Sequence, residues 1–235
     1  EFMCSGSREE LLAGAATLTL LERKGIDTGM GLERLAMIMQ KTPTIFETDL
    51  FGSFMEFLPP GLEVRMKRII IDHLRAAVFL IADGVRPSNK EAGYILRRLI
   101  RRALVYENIY SIPLHVYDAI LHDIVHEYGQ FYQELMRENN TIRDEFKNER
   151  EKFGRTLDRG VGELERTGKI NAENAFTLYE TFGIPFEIIK ELGGGKAKAL
   201  TREAFDEEFK KHQEISRAGQ EKKFGGHGLL LDTGE

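Results

Sequence analysis

"DHLRAAVFLIADGVRPSNKEAGYILRRLIRRA", residues 72–103, decides how this chain is read. Its first part continues an upstream pattern in which Met66, Ile69, Ile70, Leu74, Ala77, Val78 and Ile81 recur at helical spacing. Gly84 and Pro87 interrupt it, and a second helix is predicted over about 89–106. Ser88 and Glu91 carry the Ser-x-x-Glu pattern of a capping box, which makes Asn89 the first helical residue. At roughly 100° per residue, Ile95, Leu96, Leu99, Ile100 and Ala103 fall on one side. Arg97, Arg98, Arg101 and Arg102 fall on the other, with Tyr94 among them. The expectation is an apolar side docked on a core and a basic side facing outward.

That basic side is unusual for this chain. The 235 residues carry a formal charge of -5, yet residues 86–102 hold six cations against Glu91 alone, a local charge of +5. Like charges one turn apart repel slightly, so four arginines without an acid among them call for an external anion. A guanidinium forks onto two phosphate oxygens, and a row of them suits a nucleic-acid backbone with the Tyr94 ring stacked beside it. The plain alternative is a solvated surface helix whose arginines pair with acidic neighbours.

Outward from this stretch the chain reads as mainly helical. "TLTLL" at 17–21 is a short strand by its alternation. Leu32, Leu35, Ala36 and Met39 mark a helix that Pro43 stops. "FLPPGLEV" at 57–64 is the clearest boundary, with two prolines and a glycine together. Beyond Pro113, a long stripe of Phe131, Leu135, Ile142, Phe146, Phe153, Leu157, Val161 and Leu164 predicts helical core packing. "GGGKAKAL" at 193–200 is a turn or linker. The units expected are 1–57, 58–200 and 201–235, the last a helix and connector.

Composition excludes several classes. Hydrophobic residues make up 42% of the chain and charged ones 30%, which argues for a folded interior. No apolar run reaches the roughly 18 residues a membrane helix needs. A single cysteine, Cys4, rules out an internal disulfide framework. His122 and His126 in "HDIVH" have zinc-pair spacing, but Asp123 replaces the glutamate of the metalloprotease pattern and no third ligand is evident. Zinc is not expected.

"IDTGMGLERLAMIMQ", residues 26–40, is the second informative stretch. A Gly-x-Gly precedes a helix, but position 34 is arginine where a dinucleotide fingerprint needs glycine. Gly29 and Gly31 permit a ligand to approach the backbone, and Arg34 sits in the first turn, within reach of phosphate. Asp27 is placed to receive a cation such as an ammonium.

Together these stretches resemble a known family. "DTGMGLER" is similar to motif 3 of class II aminoacyl-tRNA synthetases in its alanyl form. Residues 72–103 resemble the opening of that family's helical tRNA-recognition domain, and "NAFTLYETFGIPFEI", 174–188, its close. The resemblance implies a mainly α fold, a helical bundle preceded by a small α+β remnant of a class II catalytic domain. It implies alanine activation by ATP with magnesium, then transfer to the tRNA(Ala) acceptor stem, in the cytoplasm. Asp27 and Gly29 would hold alanine, and Gly31 and Arg34 would hold ATP. Asn89 would read the minor groove of a guanine–uracil wobble pair. Its partner reader is an aspartate in the family and Glu180 here, which lengthens the reach by one methylene.

Only 26 residues precede Asp27, too few for motifs 1 and 2 and their antiparallel sheet. The expectation is therefore a monomeric piece of a longer ligase, unable to activate alanine alone. A non-catalytic RNA-binding helical module and a helical protein-interaction module are the alternatives.

Overall fold

A computed structural model describes residues 2–20, 22, 23, 25 and 28–212. The chain forms two compact units, Glu1–Gly52 and Ser53–Glu235. The fold is mainly α, as the periodicity implies.

The first unit opens with β1 (Phe2–Ser5), which pairs antiparallel with β2 (Thr17–Leu20) in the register Phe2 opposite Leu20. Between them lies α1 (Arg8–Leu12). Ser7 caps it: Glu10 N–H donates to Ser7 Oγ and Ser7 N–H donates back to the Glu10 carboxylate at 2.7 Å. α2 (Leu32–Gln40) ends where Lys41 turns left-handed at φ 56°. A 3-10 turn, Ile45–Glu47, follows. The stripe expected to bury α2 is largely open, with Leu32, Leu35 and Met39 exposed.

The second unit is helical. α3 (Gly52–Glu56) begins at the junction, and Phe54 stacks on Tyr128 with ring centres 6.1 Å apart. The Pro59-Pro60-Gly61 turn leads into α4 (Val64–Ala82). α5 (Glu91–Ile109), α6 (Leu114–Gly129) and α7 (Gln133–Arg137) follow, then the long α8 (Asn139–Arg166). α9 (Ala172–Phe182) and α10 (Phe186–Gly193) precede a 3-10 turn at Gly194–Ala197 and a helix, α11, at 202–212.

α4 packs on α5, α6 and α8, and its Ile70, Ile71, Leu74, Val78 and Ile81 are buried. Leu96, Ile100 and Ala103 of α5 and Ile120, Leu121 and Ile124 of α6 are buried in the same core. Each buried aliphatic side chain of this kind stabilises by about 1.5–3 kcal/mol. Tyr117 Oη donates to the Ala103 carbonyl at 2.8 Å, tying α6 to α5. α11 joins the same unit: Phe205 is buried, with ring centres 5.2 Å from Phe186, 5.7 Å from Tyr179 and 6.1 Å from Phe176.

Two further expectations differ from the structure. The stripe from 131 to 166 packs in the core from Leu135 onward but not at its start, and two helices carry it. Phe131 is exposed, Leu135 belongs to the short α7, and α8 begins at Asn139. The capping box at Ser88 does not form either. Lys90 is the N-cap of α5, so Asn89 lies upstream in the loop. Glu91 adopts φ 50°, and the Ser88 N–H donates to the Gly93 carbonyl at 3.1 Å.

Candidate nucleic-acid interface

The loop before α5 is held by three side chains, Arg86, Ser88 and Arg97. Arg86 Nη1 donates to the carbonyls of Ile81 at 2.8 Å and Val85 at 2.9 Å, and its guanidinium approaches Glu138, which precedes α8, and Glu145 within α8. Ser88 Oγ donates to the Lys90 carbonyl at 3.0 Å. Arg97 Nη2 donates to the Pro87 carbonyl at 3.3 Å, and its Nη1 donates to Asn89 Oδ1. Asn89 and Lys90 stand exposed at the loop's end.

The arginines of α5 do not form an outward ridge. Their side chains are only 17–30% exposed, and each meets an acid from a distant part of the chain. Arg101 Nε donates to Glu149 Oε1 of α8 at 2.6 Å, and Arg97 Nε lies 3.5 Å from the same oxygen. Arg98 lies 3.6 Å from Glu187 of α10, which Arg202 of α11 also reaches at 3.1 Å. Arg102 lies 3.8 Å from Glu191, which also accepts from the Tyr106 hydroxyl at 2.6 Å and from Arg65 at 3.4 Å. The expected face is therefore an internal seam, with carboxylates of α8 and α10 interleaved among guanidiniums. The arrangement resolves the like-charge repulsion on α5 without an external anion.

Tyr94 is likewise engaged. Its ring is half-buried against Tyr179, at 6.4 Å, and Phe209, at 6.2 Å, and the Arg98 guanidinium lies over it at 5.8 Å. Burial pushes the Tyr179 phenol well above its ordinary value, with Tyr94 adding to the effect.

Glu180 is exposed in the last turn of α9. His212 Nδ1 lies 3.2 Å from Glu180 Oε1, and the His212 ring sits 4.9 Å from Phe176. The end of α9 is fixed by Gly183, whose φ of 74° is open to glycine and whose carbonyl accepts from Arg101 Nη1 at 3.4 Å. Beside it, Arg159 of α8 lies over Phe182 at 6.0 Å. Lys152, Arg155 and Arg159 recur one turn apart on α8 and are all exposed.

In the first unit, Arg34 is exposed in the first turn of α2, and Gly31 is that helix's N-cap. A Cβ at Gly29 would meet nothing within 4 Å, and one at Gly31 nothing nearer than Arg34 at 3.8 Å. Both glycines therefore present open backbone. Asp27 lies outside the described residues. His122 and His126 are exposed, each 3.4 Å from the acid that follows it. Among the described residues no three or more of His, Cys, Asp and Glu are grouped to hold a metal ion. No helix among them is long and apolar enough to cross a membrane.

Sequence reasoning missed Glu149, Glu187, Glu191 and Arg202. Glu149 had left a signal, because it stands three residues after Phe146 and four before Phe153, on the buried stripe of α8.

Comparison with known proteins agrees with the resemblance. Alanine–tRNA ligase of Elusimicrobium minutum is 42% identical over 211 residues, covering 84% of this chain and 24% of the relative. That of Pelotomaculum thermopropionicum is 35% identical over 225 residues, covering 86% and 25%. That of Borreliella afzelii is 37% identical over 223 residues, covering 88% and 38%. The chain thus spans between about a quarter and two fifths of these relatives' length. A family model described as tRNA synthetases class II (A) matches residues 7–229, and the chain belongs to that family.

Proposed function

We propose that this chain supplies motif 3 and acceptor-stem recognition to an alanine–tRNA ligase. In that reaction the alanine carboxylate attacks the α-phosphate of ATP, which is bound with magnesium. Pyrophosphate leaves, and the alanyl group passes from the adenylate to the terminal adenosine of tRNA(Ala). Asp27 holds the substrate ammonium, Gly29 and Gly31 give the alanine and ATP open backbone to lie against, and Arg34 offsets phosphate charge. The open backbone at both glycines and the exposure of Arg34 support these roles. On this reading the 235-residue chain by itself shows no ATP–pyrophosphate exchange above background.

Recognition falls to Asn89 and Glu180. In A-form RNA the wide minor groove is the readable one, and a wobble pair leaves a guanine amino group there without a pairing partner. A carboxylate accepts from that amino group, and an amide donates to a neighbouring acceptor. The observation that carries this reading is geometric. Asn89 and Glu180 are both exposed; Asn89 accepts from Arg97, and Glu180 stands three residues before Gly183, whose carbonyl accepts from Arg101. The arginines of α5 serve as the scaffold of that seam. An acidic protein partner for them is disfavoured, because the chain's own acids already meet them.

The test is binding to an alanine-tRNA acceptor stem with its wobble pair intact or replaced by guanine–cytosine. Wild type prefers the wobble stem, and Asn89→Ala erodes that preference by roughly 1–3 kcal/mol. Equal losses on both stems would overturn the role of Asn89.

A further inference from the structure

We infer that Glu149 is a positioning residue for stem readout, acting through Arg97 and Arg101 on the two reading segments without touching RNA. The inference rests on the roles of Asn89 and Glu180 proposed above and concerns what holds them in register.

Glu149 is 2% exposed and sits at the centre of α8, among Phe146, Phe153 and other core side chains. A carboxylate there is tolerated only if its charge is met and its lone pairs are used. Two guanidiniums from α5 meet it and diverge: Arg101 Nε donates to its Oε1 at 2.6 Å, and Arg97 Nε lies 3.5 Å from the same oxygen as an ion pair. Arg97 runs toward the start of α5, where it donates to the Pro87 carbonyl and to Asn89 Oδ1. Arg101, one turn further on, lies over Phe153 at 4.9 Å and donates to the Gly183 carbonyl. Gly183 follows Glu180 by three residues. A Cβ there would fall 1.9 Å from Arg101 Nη1, so that arm is pressed against the end of α9.

The Arg97 contact also fixes which way the Asn89 amide faces. A guanidinium has donors and no acceptor, so the atom it meets must be the amide oxygen. The Asn89 NH2 group is then turned away from Arg97 and acts as the donor toward RNA. Asn89 reads an acceptor on the minor-groove edge, while Glu180 takes the amino group. One buried carboxylate thus sets both the separation of the two readers and the polarity of one of them.

The experiment uses the full 235-residue chain and two hairpin RNAs carrying the alanine-tRNA acceptor stem, one with the guanine–uracil pair and one with guanine–cytosine. The quantity read is the ratio of the two dissociation constants. Glu149→Gln keeps the volume and removes the charge. Arg97→Lys keeps the charge and removes the two-point hold on Pro87 and Asn89. Both should lower the ratio at least about fivefold while changing guanine–cytosine stem affinity by less than about twofold. Asn89→Ala combined with Arg97→Lys should lose no more discrimination than Asn89→Ala alone, because the arginine acts through the amide. An unchanged ratio, an equal loss on both stems, or an additive double variant would overturn the inference. Where Glu149→Gln does not fold, Arg97→Lys at a partly exposed site decides the same question. A wild-type chain without stem preference overturns the recognition reading itself, and this inference with it. Wild-type preference with indifferent variants overturns only the inference.

Discussion

A side chain at position 93 would strike Ser88. A Cβ on Gly93 falls 2.2 Å from Ser88 Oγ and 2.5 Å from the Arg86 carbonyl. Gly93 is buried in the first turn of α5, and its carbonyl accepts from the Ser88 N–H. Backbone conformation does not require glycine here, but the close approach of the 86–90 loop does. Gly93→Ala must push that loop outward and carry Asn89 with it. The expected cost is about 1–3 kcal/mol from overpacking, seen as a melting temperature lower by several degrees. Discrimination between wobble and guanine–cytosine stems should fall in the same variant. A melt indistinguishable from wild type would mean the loop relaxes freely.

Two arginines one turn apart should behave differently on truncation. Arg101→Ala removes the 2.6 Å bond to Glu149, leaving a buried carboxylate with Arg97 alone. The loss should be about 3 kcal/mol, since most of it is the penalty of an under-compensated buried charge. Arg98→Ala leaves Glu187 with its shorter contact to Arg202, and Arg98 is 30% exposed, so the loss should stay below about 1 kcal/mol. Urea midpoints at constant slope measure both. Equal destabilisation would contradict the seam as described.

Much of the helical unit was legible because its periodicity is local. The apolar recurrence from Met66 to Ile81 marks α4, and Leu96, Ile100 and Ala103 mark the buried side of α5. The direction of the arginines was not legible. Their acids stand 48 or more residues away in sequence, on α8 and α10, and a local charge count cannot see them. The helix wheel also placed Ile95 inside, whereas it is exposed and the buried arc turns toward Leu96, Ile100 and Ala103. Ser88 misled for a related reason. Ser-x-x-Glu suits a capping box, but the same hydroxyl can close a local turn on Lys90, and the packing of Gly93 selects that turn. Phe131 continues a numerical stripe that the breaks at 130–132 and at Glu138 interrupt. Asn89 and Glu180 came from family resemblance alone, because nothing in their local sequence separates them from surface residues.

With the α5 arginines engaged inside the protein, phosphate contact should come from α8. Lys152, Arg155 and Arg159 are exposed one turn apart, and Arg159 borders the end of α9 at Phe182. Replacing all three with alanine should weaken both stems alike and lower the slope of log affinity against log salt by about 2–3. The wobble preference should survive, since backbone contacts carry no sequence information. Arg98→Ala should leave the salt slope unchanged. The reverse result, a slope set by Arg98 and indifferent to α8, would return phosphate binding to α5.

Alkaline pH should loosen the seam through its tyrosines. Burial, reinforced by donation to the Glu191 carboxylate, pushes the Tyr106 phenol up to about 12, and Tyr117 and Tyr179 are raised as well. The folded state favours the neutral phenol more than the unfolded chain does. Its contribution is therefore complete below the unfolded value of about 10 and is lost as pH rises through the folded value. Three of the seven tyrosines should ionise in a late phase that coincides with loss of helical circular dichroism. Tyr106→Phe tests the assignment. At neutral pH it should cost about 1 kcal/mol for the missing bond to Glu191. Between about pH 10 and 12 the gap between variant and wild type should narrow, because only wild type has that phenol to ionise. A gap that stays constant across this range would show that Tyr106 ionises no differently when folded.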